Sequence, residues 1–459
     1  MKVIICGAGQ VGLGIAERLS TEGNDVTVID SQAALVQRAN ETLDVRAIHG
    51  NGAHPDVLAR ASAADADMLI AVTLYDEVNM VACQVADLEF NIPTKIARVR
   101  AQSYTSVDYP SLFGHGGMKI DYLISPEREV GEAVLRRLEQ PGAFEMFSFI
   151  DGQMTTLGIA CAADCPVLDT TLSQLADLFP DLPASIVAIV RNGQLSVAHA
   201  SERLRVGDDV YITVPTTDIA RTLRIFGHVE NQARRIIIAG GGNIGYYVAK
   251  QLEERAGGVR ARIIEGSRER AMFLAQDLRE TPVLHGSSLS EQLLREADVA
   301  TAETIVALTN DDQVNILTSV LAKQLGCQRS ICLWNSSGYA TMIRSLAIDA
   351  QVNPRAITTS RILQFVRRGR IRGVHAVQSG RGELIEGDAL ETSPLVGRPI
   401  SELKLGNGLR IAGVWRHTKP VQVRGDTELK PKDRVIIFAM ADRVHDAEQM
   451  FRVAPDYFN

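Results

Sequence analysis

Short apolar runs alternate with longer, partly polar stretches over the first 125 residues of the chain. The runs show little alternation of apolar and polar positions, which is typical of parallel strands covered on both faces. The stretches between them have apolar positions at helical spacing, so the pattern predicts repeated strand–helix–strand units and a parallel sheet. The six predicted strands lie near residues 2–6, 25–30, 45–49, 68–73, 95–100 and 122–125.

The pattern of the first half occurs again in the second half. The segment VIICGAGQVG begins at Val3, and IIIAGGGNIG begins at Ile236. The correspondence continues beyond the predicted sheets, because GDDV at Gly207 matches KDRV at Lys432. A match that persists along most of each half indicates duplication of the whole half and not only of one motif.

Each predicted sheet is followed by a helix start of the same kind. Ser125 and Asn353 are good N-cap residues, and a proline occupies the first helical position after each of them. Apolar residues at helical spacing follow both prolines. We therefore expect connector helices over residues 126–140 and 354–370.

The rest of each half carries strand-like runs and one short helix. Asn192-Gly193 lies between two such runs and is a strong hairpin signal. We therefore expect an α/β protein with two tandem Rossmann-like, doubly wound parallel sheets, each followed by a small α+β domain. The predicted Rossmann domains are 1–125 and 229–353, and the predicted small domains are 141–228 and 371–459.

Each glycine-rich segment directly follows a strand and opens a helix, the context in which G-x-G-x-x-G indicates dinucleotide binding. The first glycine permits a tight turn, the second lets the backbone approach a pyrophosphate, and the third lets the helix pack closely on the sheet. The phosphates would lie against unpaired N–H groups at the helix N-terminus. A glycine turn kept only for packing is the alternative. The candidate loop residues are Gly7, Ala8, Gly9, Gln10, Val11 and Gly12 in the first half and Gly240, Gly241, Gly242, Asn243, Ile244 and Gly245 in the second.

An acidic residue follows each glycine loop by about 20 residues and ends the next predicted strand, as in NAD-binding folds. These residues are Asp30 and Glu265. Their carboxylates would accept hydrogen bonds from ribose hydroxyls and repel a 2′-phosphate. The sequence therefore favours NAD over NADP.

Further candidates follow the other strands, because ligands bind at the carboxyl ends of parallel strands. Asn51 would lie near the adenine, and Thr73 and Leu74 near the far half of a dinucleotide. Arg98 either pairs with a phosphate or is a solvated surface charge, and both interpretations stay open. The second copy has Trp334 and Asn335 where Arg98 and Arg100 follow the fifth strand, so we expect a different ligand set there.

Composition limits the partners and the compartment. The net charge of −7 gives no general attraction to nucleic acid. No apolar run approaches the ~20 residues of a transmembrane helix, and the start lacks a signal-peptide pattern, so we expect a cytoplasmic protein. The six cysteines are expected to be reduced and buried, and no metal site is expected.

The sequence offers no convincing catalytic group. A dehydrogenase needs an acid or base near the nicotinamide. Tyr246 and Lys250 have the spacing of the Tyr/Lys pair of short-chain dehydrogenases, but they lie on the helix directly after the glycine turn. We therefore expect no catalytic residue and no enzymatic activity, with an NAD-dependent oxidoreductase as the alternative.

The order of domains and the segments GAGQVG, VID, GGGNIG, TLYDEVNM and TNDDQVN resemble the regulator-of-potassium-conductance family. The tandem form of these units is found in peripheral nucleotide-binding subunits of bacterial Trk potassium uptake systems. The resemblance covers essentially the full chain, and the duplication is its most specific feature. One departure is Asn51 after Gly50, where many members have Gly-Asp.

The resemblance implies a cytosolic regulator, peripheral to the inner face of the plasma membrane, that docks on a separate membrane potassium-translocating subunit. It also implies a homo-oligomeric ring and binding of NAD+ or NADH, with ATP or ADP as further ligands. The small domains would be ligand-sensing regulatory domains. A nucleotide-sensing scaffold of another ion channel is a second alternative. By motif matching, the implied site residues are Gly7, Gly9, Gly12, Asp30, Thr73 and Arg98 in the first half and Gly240, Gly242, Gly245 and Glu265 in the second.

Overall fold

The computed structural model of the chain describes residues 1–105, 111–113, 116–230, 232–255, 258–335, 346, 348–366, 371–403 and 405–452. Contacts divide the chain into two units, and each is considered by itself below. One unit comprises Met1–Glu129 with Arg355–Arg368, and the other comprises Val130–Pro354 with Gly369–Asn459.

The first unit is built on a six-stranded parallel sheet with strand order β3-β2-β1-β4-β5-β6. The chain crosses from one half of the sheet to the other between β3 and β4, so β1 and β4 form the point where the strand order reverses. The strands are β1 (Lys2–Cys6), β2 (Asp25–Asp30), β3 (Arg46–His49), β4 (Met68–Ala71), β5 (Thr94–Arg98) and β6 (Tyr122–Ile124). The helices between them are α1 (Gln10–Thr21), α2 (Ala33–Thr42), α3 (Pro55–Arg60) and α4 (Asp76–Leu88).

A helix from late in the chain completes the core of this first sheet. Helix α12 (Pro354–Val366) buries Ile362, Leu363 and Val366 in the cluster that also contains apolar residues of α1 and β1. Phe365 stacks on Tyr122 of β6 with 4.1 Å between ring centroids. The connector helix predicted over 354–370 therefore covers the first sheet, and its predicted end, 367–370, lies outside the described residues.

The second unit contains the second parallel sheet, with strand order β14-β13-β12-β15-β16-β17. The first connector helix, α5 (Pro126–Glu139), contributes its residues from Val130 onwards to this unit. The strands are β12 (Arg235–Ala239), β13 (Arg260–Glu265), β14 (Val283–His285), β15 (Thr304–Ala307), β16 (Arg329–Leu333) and β17 (Ala350–Val352). The helices are α8 (Asn243–Glu254), α9 (Arg268–Asp277), α10 (Glu291–Glu296) and α11 (Asp312–Gln324).

Helix α5 packs on helix α8, which covers the second sheet, at a position where α5 has a glycine. A Cβ atom at Gly131 would lie 2.3 Å from Cδ1 of Tyr247, so only glycine leaves room for this ring. The Tyr247 hydroxyl donates a hydrogen bond to Oε1 of Glu132 at 2.7 Å. Within the second unit, the helix that leaves the first sheet thus packs against the second one.

Both small domains also belong to the second unit, and each contains an antiparallel five-stranded sheet, with two short α-helices in the first domain and one in the second. Their orders are β10-β9-β11-β8-β7 and β18-β19-β22-β20-β21. The first comprises β7 (Glu145–Phe149), β8 (Met154–Ala160), α6 (Leu172–Leu178), β9 (Ser185–Arg191), β10 (Gln194–Val197), β11 (Asp209–Pro215) and α7 (Ile219–Ile225). The second comprises β18 (Ile371–Val377), β19 (Gly382–Asp388), β20 (Leu409–Arg416), β21 (Lys419–Val421), β22 (Arg434–Met440) and α13 (Val444–Gln449). The predicted fold class, with two parallel sheets each followed by a small domain, is confirmed.

The repeated GDDV and KDRV segments place a buried aspartate in each small domain. Asp208 is 1% exposed, and its two carboxylate oxygens accept from Nε and Nη2 of Arg191 at 2.8 and 2.7 Å. The second domain repeats this bidentate pair between Asp433 and Arg416, again at 2.8 and 2.7 Å. The pair ties the start of the last long strand to the neighbouring hairpin in each domain.

None of the helices in the described part of the chain is long and apolar enough to cross a membrane. The same residues contain no group of three or more His, Cys, Asp or Glu side chains that could hold a metal ion. All six cysteines are buried free thiols. Burial raises the pKa of Cys6 to about 12, so this thiol stays protonated at neutral pH.

Candidate functional site: two nucleotide clefts

The two glycine turns have nearly the same geometry. Gly7 has φ +111° and Gly240 has φ +103°, a backbone region that side chains rarely adopt. A Cβ atom at Gly12 would lie 1.8 Å from the Gly7 carbonyl oxygen, and the corresponding distance at Gly245 is 2.0 Å. Helices α1 and α8 can therefore lie this close to the preceding strands only because these positions are glycine.

The middle glycine of each turn differs from its neighbours. A Cβ atom at Gly9 or Gly242 would have no heavy atom within 4 Å from the described residues beyond its chain neighbours, so their packing does not require glycine there. Each is the N-cap residue of its helix, with extended backbone and no side-chain cap. The first N–H groups of a helix have no partner within the helix and can meet an anion there. The open space at these two positions is the space that a ligand would need.

The acidic residues at the ends of β2 and β13 hold the glycine turns in place. Asp30 Oδ2 accepts from the N–H of Ala8 at 2.7 Å, and its other oxygen accepts from the N–H two residues further along the chain at 2.8 Å. Glu265 makes the same two bonds, both 2.7 Å long, with the N–H of Gly241 and with the N–H two residues further on. Each carboxylate oxygen has lone pairs left for a ribose hydroxyl, because a carboxylate can accept about four hydrogen bonds.

Other predicted residues of the first half come to the same edge of the sheet. The N–H and the hydroxyl of Thr73 both donate to Asn79 Oδ1 at 2.8 Å. Asn51 uses its side-chain oxygen locally, to accept from the N–H of Ala53 at 2.9 Å. Leu74, the residue after Thr73, is 66% exposed. Gln10 and Val11 open helix α1, as Asn243 and Ile244 open helix α8.

Arg98 is a half-buried cation at this edge and not a solvated surface charge. Its Nη2 donates to the carbonyl oxygen of Thr73 at 2.7 Å, while Nε is buried without a hydrogen-bond partner in the described part of the chain. Burial lowers the pKa of the Arg98 guanidinium. The equivalent position in the second half is Leu333, because the carbonyls of Arg98 and Leu333 accept the same bond from Asn79 and Asn315. The second half therefore has a leucine at the position of Arg98, and Trp334 follows one residue later.

The second cleft is an open cavity of about 530 Å³. Its lining includes the predicted Gly240, Gly242 and Glu265. The other lining residues are Ile264, Gly266, Ser267, Arg270, Gly286, Ser287, Ser288, Leu308, Thr309, Asn310 and Val314. This volume lies within the range of ~300–1,000 Å³ that is typical of small-molecule sites.

Arg270 is a cleft residue that the sequence analysis missed. Its Nε donates to the carbonyl oxygen of Gly241 at 2.8 Å, and its guanidinium carbon lies 4.7 Å from the ring centre of Phe273. The spacing from Glu265 could have revealed it, since Arg270 lies in the first turns of the helix after that strand. Each cleft thus has a cation, but from a different element: Arg98 ends strand β5 in the first half, and Arg270 lies on helix α9 in the second.

The Tyr246 and Lys250 pair does not form a dehydrogenase centre. The Tyr246 hydroxyl donates to Asp277 at 2.6 Å and accepts from Lys250 Nζ at 3.0 Å. Burial and the bond to Asp277 raise the pKa of Tyr246, whereas an acid–base tyrosine needs a pKa brought towards neutrality. The arrangement links the surfaces of α8 and α9.

The parallel sheets, their strand order and their paired glycine and acid turns define a protein with two tandem Rossmann-type domains. Family models agree with this class: the TrkA-N domain matches residues 3–126 and again 236–354, and the TrkA-C domain matches residues 384–452. These matches cover well over half of the chain. The chain belongs to the TrkA family of Trk system potassium uptake proteins.

Two relatives are similar along their whole length. The Trk system potassium uptake protein TrkA of Azorhizobium caulinodans is 55% identical over 458 residues, covering 100% of both chains. The protein of the same name from Halomonas elongata is 37% identical over 462 residues, again covering 100% of both. Membership in this family identifies a component of potassium transport and not an enzyme.

Solved structures of a channel share the fold at low sequence identity. The GsuK channel bound to NAD has a TM-score of 0.61 and 16% identity, covering 98% of this chain and 78% of that chain. The GsuK structure bound to ADP has a TM-score of 0.50 and 15% identity, covering 80% of this chain and 69% of that chain. The likeness extends through the tandem order of the domains.

Proposed function

We propose that the chain is a regulatory subunit that binds nucleotide in its two Rossmann clefts and controls potassium movement through a separate membrane subunit. Family membership supports the potassium uptake system. The observation that carries nucleotide binding is the open space at Gly9 and Gly242, beside turns that are otherwise closely packed. The proposed place of action is the cytoplasmic face of the plasma membrane, on a potassium-translocating partner.

The proposed ligand is NAD+ or NADH, with ADP and ATP as further candidates. Asp30 and Glu265 support a free ribose over a 2′-phosphate, because a carboxylate repels a phosphate at that position. Among the solved structures, one GsuK channel is described as bound to NAD and another as bound to ADP. We propose Arg98 as a phosphate contact of the first cleft, since its Nε is buried without a partner in the described part of the chain.

Asp30→Asn is expected to weaken NAD binding at the first cleft by about tenfold. The amide NH2 would face a backbone N–H of the turn, and the ribose would lose a charged acceptor. Calorimetric titration of the purified chain measures both affinity and stoichiometry. Asp25→Asn is the matched control, since Asp25 is exposed at the other end of β2 and is expected to change neither. Equal affinities for NAD in wild type and Asp30→Asn would contradict the proposal that Asp30 binds the ribose.

We propose that ligand binding favours one of two shapes of a ring of these chains. A ligand shifts such an equilibrium only by its differential affinity, and a nearly complete switch needs ~5.5 kcal/mol. Several clefts in one ring could share this free energy.

A surface feature supports the assembly into a ring. Val81 on α4 and Leu317 on α11 occupy equivalent positions in the two halves, and they are 43% and 55% exposed. We propose that these two side chains take part in contacts between chains, because the duplication places an exposed apolar residue at the same position of both helices.

Joint replacement, Val81→Asp with Leu317→Asp, is expected to reduce the assembly to a smaller species, because burying two uncompensated charges opposes association. Light scattering coupled to size-exclusion chromatography gives the mass. Leu178→Asp, at a leucine 64% exposed in the small domain, is the control and should leave the mass unchanged. An unchanged mass in the double variant would exclude these helices from the interface.

A further inference from the structure

A second cavity lies between the two small domains, away from the glycine turns. Its volume is about 110 Å³, and its walls are mostly apolar, with Leu175, Phe179, Ile186 and Phe226 from the first small domain. Arg410 comes from strand β20 of the second small domain. Ala176, which also lines it, is exposed, so the cavity borders solvent.

Arg410 is unusual among the arginines of the small domains. Its Nη1 donates to the carbonyl oxygen of Ala198, and no carboxylate lies within 4 Å of its guanidinium in the described part of the chain. Burial lowers its pKa, and the negative charge of Glu202 acts in the opposite sense. Arg191 and Arg416, by contrast, each hold a buried aspartate. Arg410 is therefore a half-buried cation whose Nε and Nη2 have no hydrogen-bond partner in the described part of the chain.

The two halves differ at this point. Ser185 of β9 is the counterpart of Arg410, because Arg191 and Arg416 fix the register of the two domains. The Ser185 hydroxyl donates to the carbonyl oxygen of Ile411, one residue after Arg410. Strands β9 and β20 thus meet at equivalent positions of the two small domains, but only β20 carries a cation there.

We propose that this cavity binds a short-chain carboxylate, with its carboxylate on Arg410 and its hydrocarbon tail against the apolar wall. Two N–H groups of a guanidinium match the two oxygens of a carboxylate. The size of the cavity sets the length of the tail, since an apolar cavity of ~150 Å³ accommodates benzene. A ligand of about four or five carbons fits, whereas a nucleotide needs several times this volume.

The test uses butanoate as the probe and the full-length chain. Calorimetric or ligand-observed magnetic resonance titration is expected to give saturable binding, at least about tenfold tighter than binding of 1-butanol, which lacks the charge. Arg410→Met is expected to weaken butanoate binding by about tenfold or more and to leave 1-butanol binding nearly unchanged. Arg424→Met is the matched control, because it removes the same charge from an exposed position just after the cavity residue Val423.

A second variant tests the cavity without changing Arg410. Ala184 is a half-buried wall residue, so Ala184→Met is expected to fill the cavity and abolish binding while Arg410 is retained. Circular dichroism and the melting temperature report on the folded state of all variants, and the melting temperature should stay near that of wild type. The proposal is overturned if butanoate does not bind, if 1-butanol binds equally well, or if Arg424→Met weakens butanoate binding as much as Arg410→Met.

Discussion

Gly12→Ala is expected to destroy the first nucleotide cleft and to lower the stability of the first unit by several kcal/mol, about 3 or more. The new Cβ would lie 1.8 Å from the Gly7 carbonyl oxygen, and that atom belongs to the backbone and cannot rotate away. Helix α1 would have to leave the sheet. Calorimetry with NAD should show half the wild-type number of sites, with the second cleft unaffected.

Gly9→Ala separates binding from folding. Apart from its chain neighbours, no described residue has a heavy atom within 4 Å of the new Cβ, and the φ of −68° is accessible to alanine. The melting temperature is therefore expected to stay near that of wild type, while NAD affinity at the first cleft falls by at least about tenfold. Gly242→Ala should have the same effect on the second cleft. Unchanged NAD binding in Gly9→Ala would show that this space is not used by the ligand.

Asp208→Ala is expected to destabilise the first small domain by about 2–3 kcal/mol, because it leaves the half-buried guanidinium of Arg191 without the carboxylate that holds it. The carboxylate also accepts from the backbone N–H of Arg205 at 2.8 Å, so a loop donor loses its acceptor too. Denaturant unfolding monitored by circular dichroism measures the change. Asp433→Ala should have a similar effect in the second small domain.

The control for this prediction is another aspartate–arginine pair of the same domain. Asp181 and Arg221 form an ion pair whose side chains are 68% and 39% exposed. Solvent screens such a pair, so Asp181→Ala is expected to leave the unfolding midpoint unchanged. If Asp208→Ala were as mild as Asp181→Ala, the repeated buried pair would not be a structural requirement of these domains.

The duplication and both parallel sheets could be predicted from the sequence, because they depend on local signals. The apolar strands, the glycine turns and the prolines at Pro126 and Pro354 each occur within a few residues and recur in order. Strand β5 ends at Arg98, two residues before the predicted end. The reason is Asp76, whose carboxylate takes the N–H groups of Arg100 and Ala101 at 2.9 and 2.8 Å and turns the chain out of the sheet.

Features that depend on contacts between distant segments could not be predicted in this way. The position of the Arg98 side chain depends on its hydrogen bond to the carbonyl oxygen of Thr73, 25 residues earlier in the chain. No local pattern indicates that α12, which follows the second sheet, completes the core of the first. The four domain boundaries and the nucleotide-binding roles of the cleft residues stay predictions.

The most direct test of the central claim is potassium flux into vesicles that contain the membrane potassium-translocating subunit together with this chain. We expect NAD, NADH or ADP to change the flux with wild-type protein. The double variant Gly9→Ala with Gly242→Ala should assemble normally and give a flux that no longer responds to these nucleotides. A response of the double variant equal to that of wild type would contradict regulation through the two Rossmann clefts.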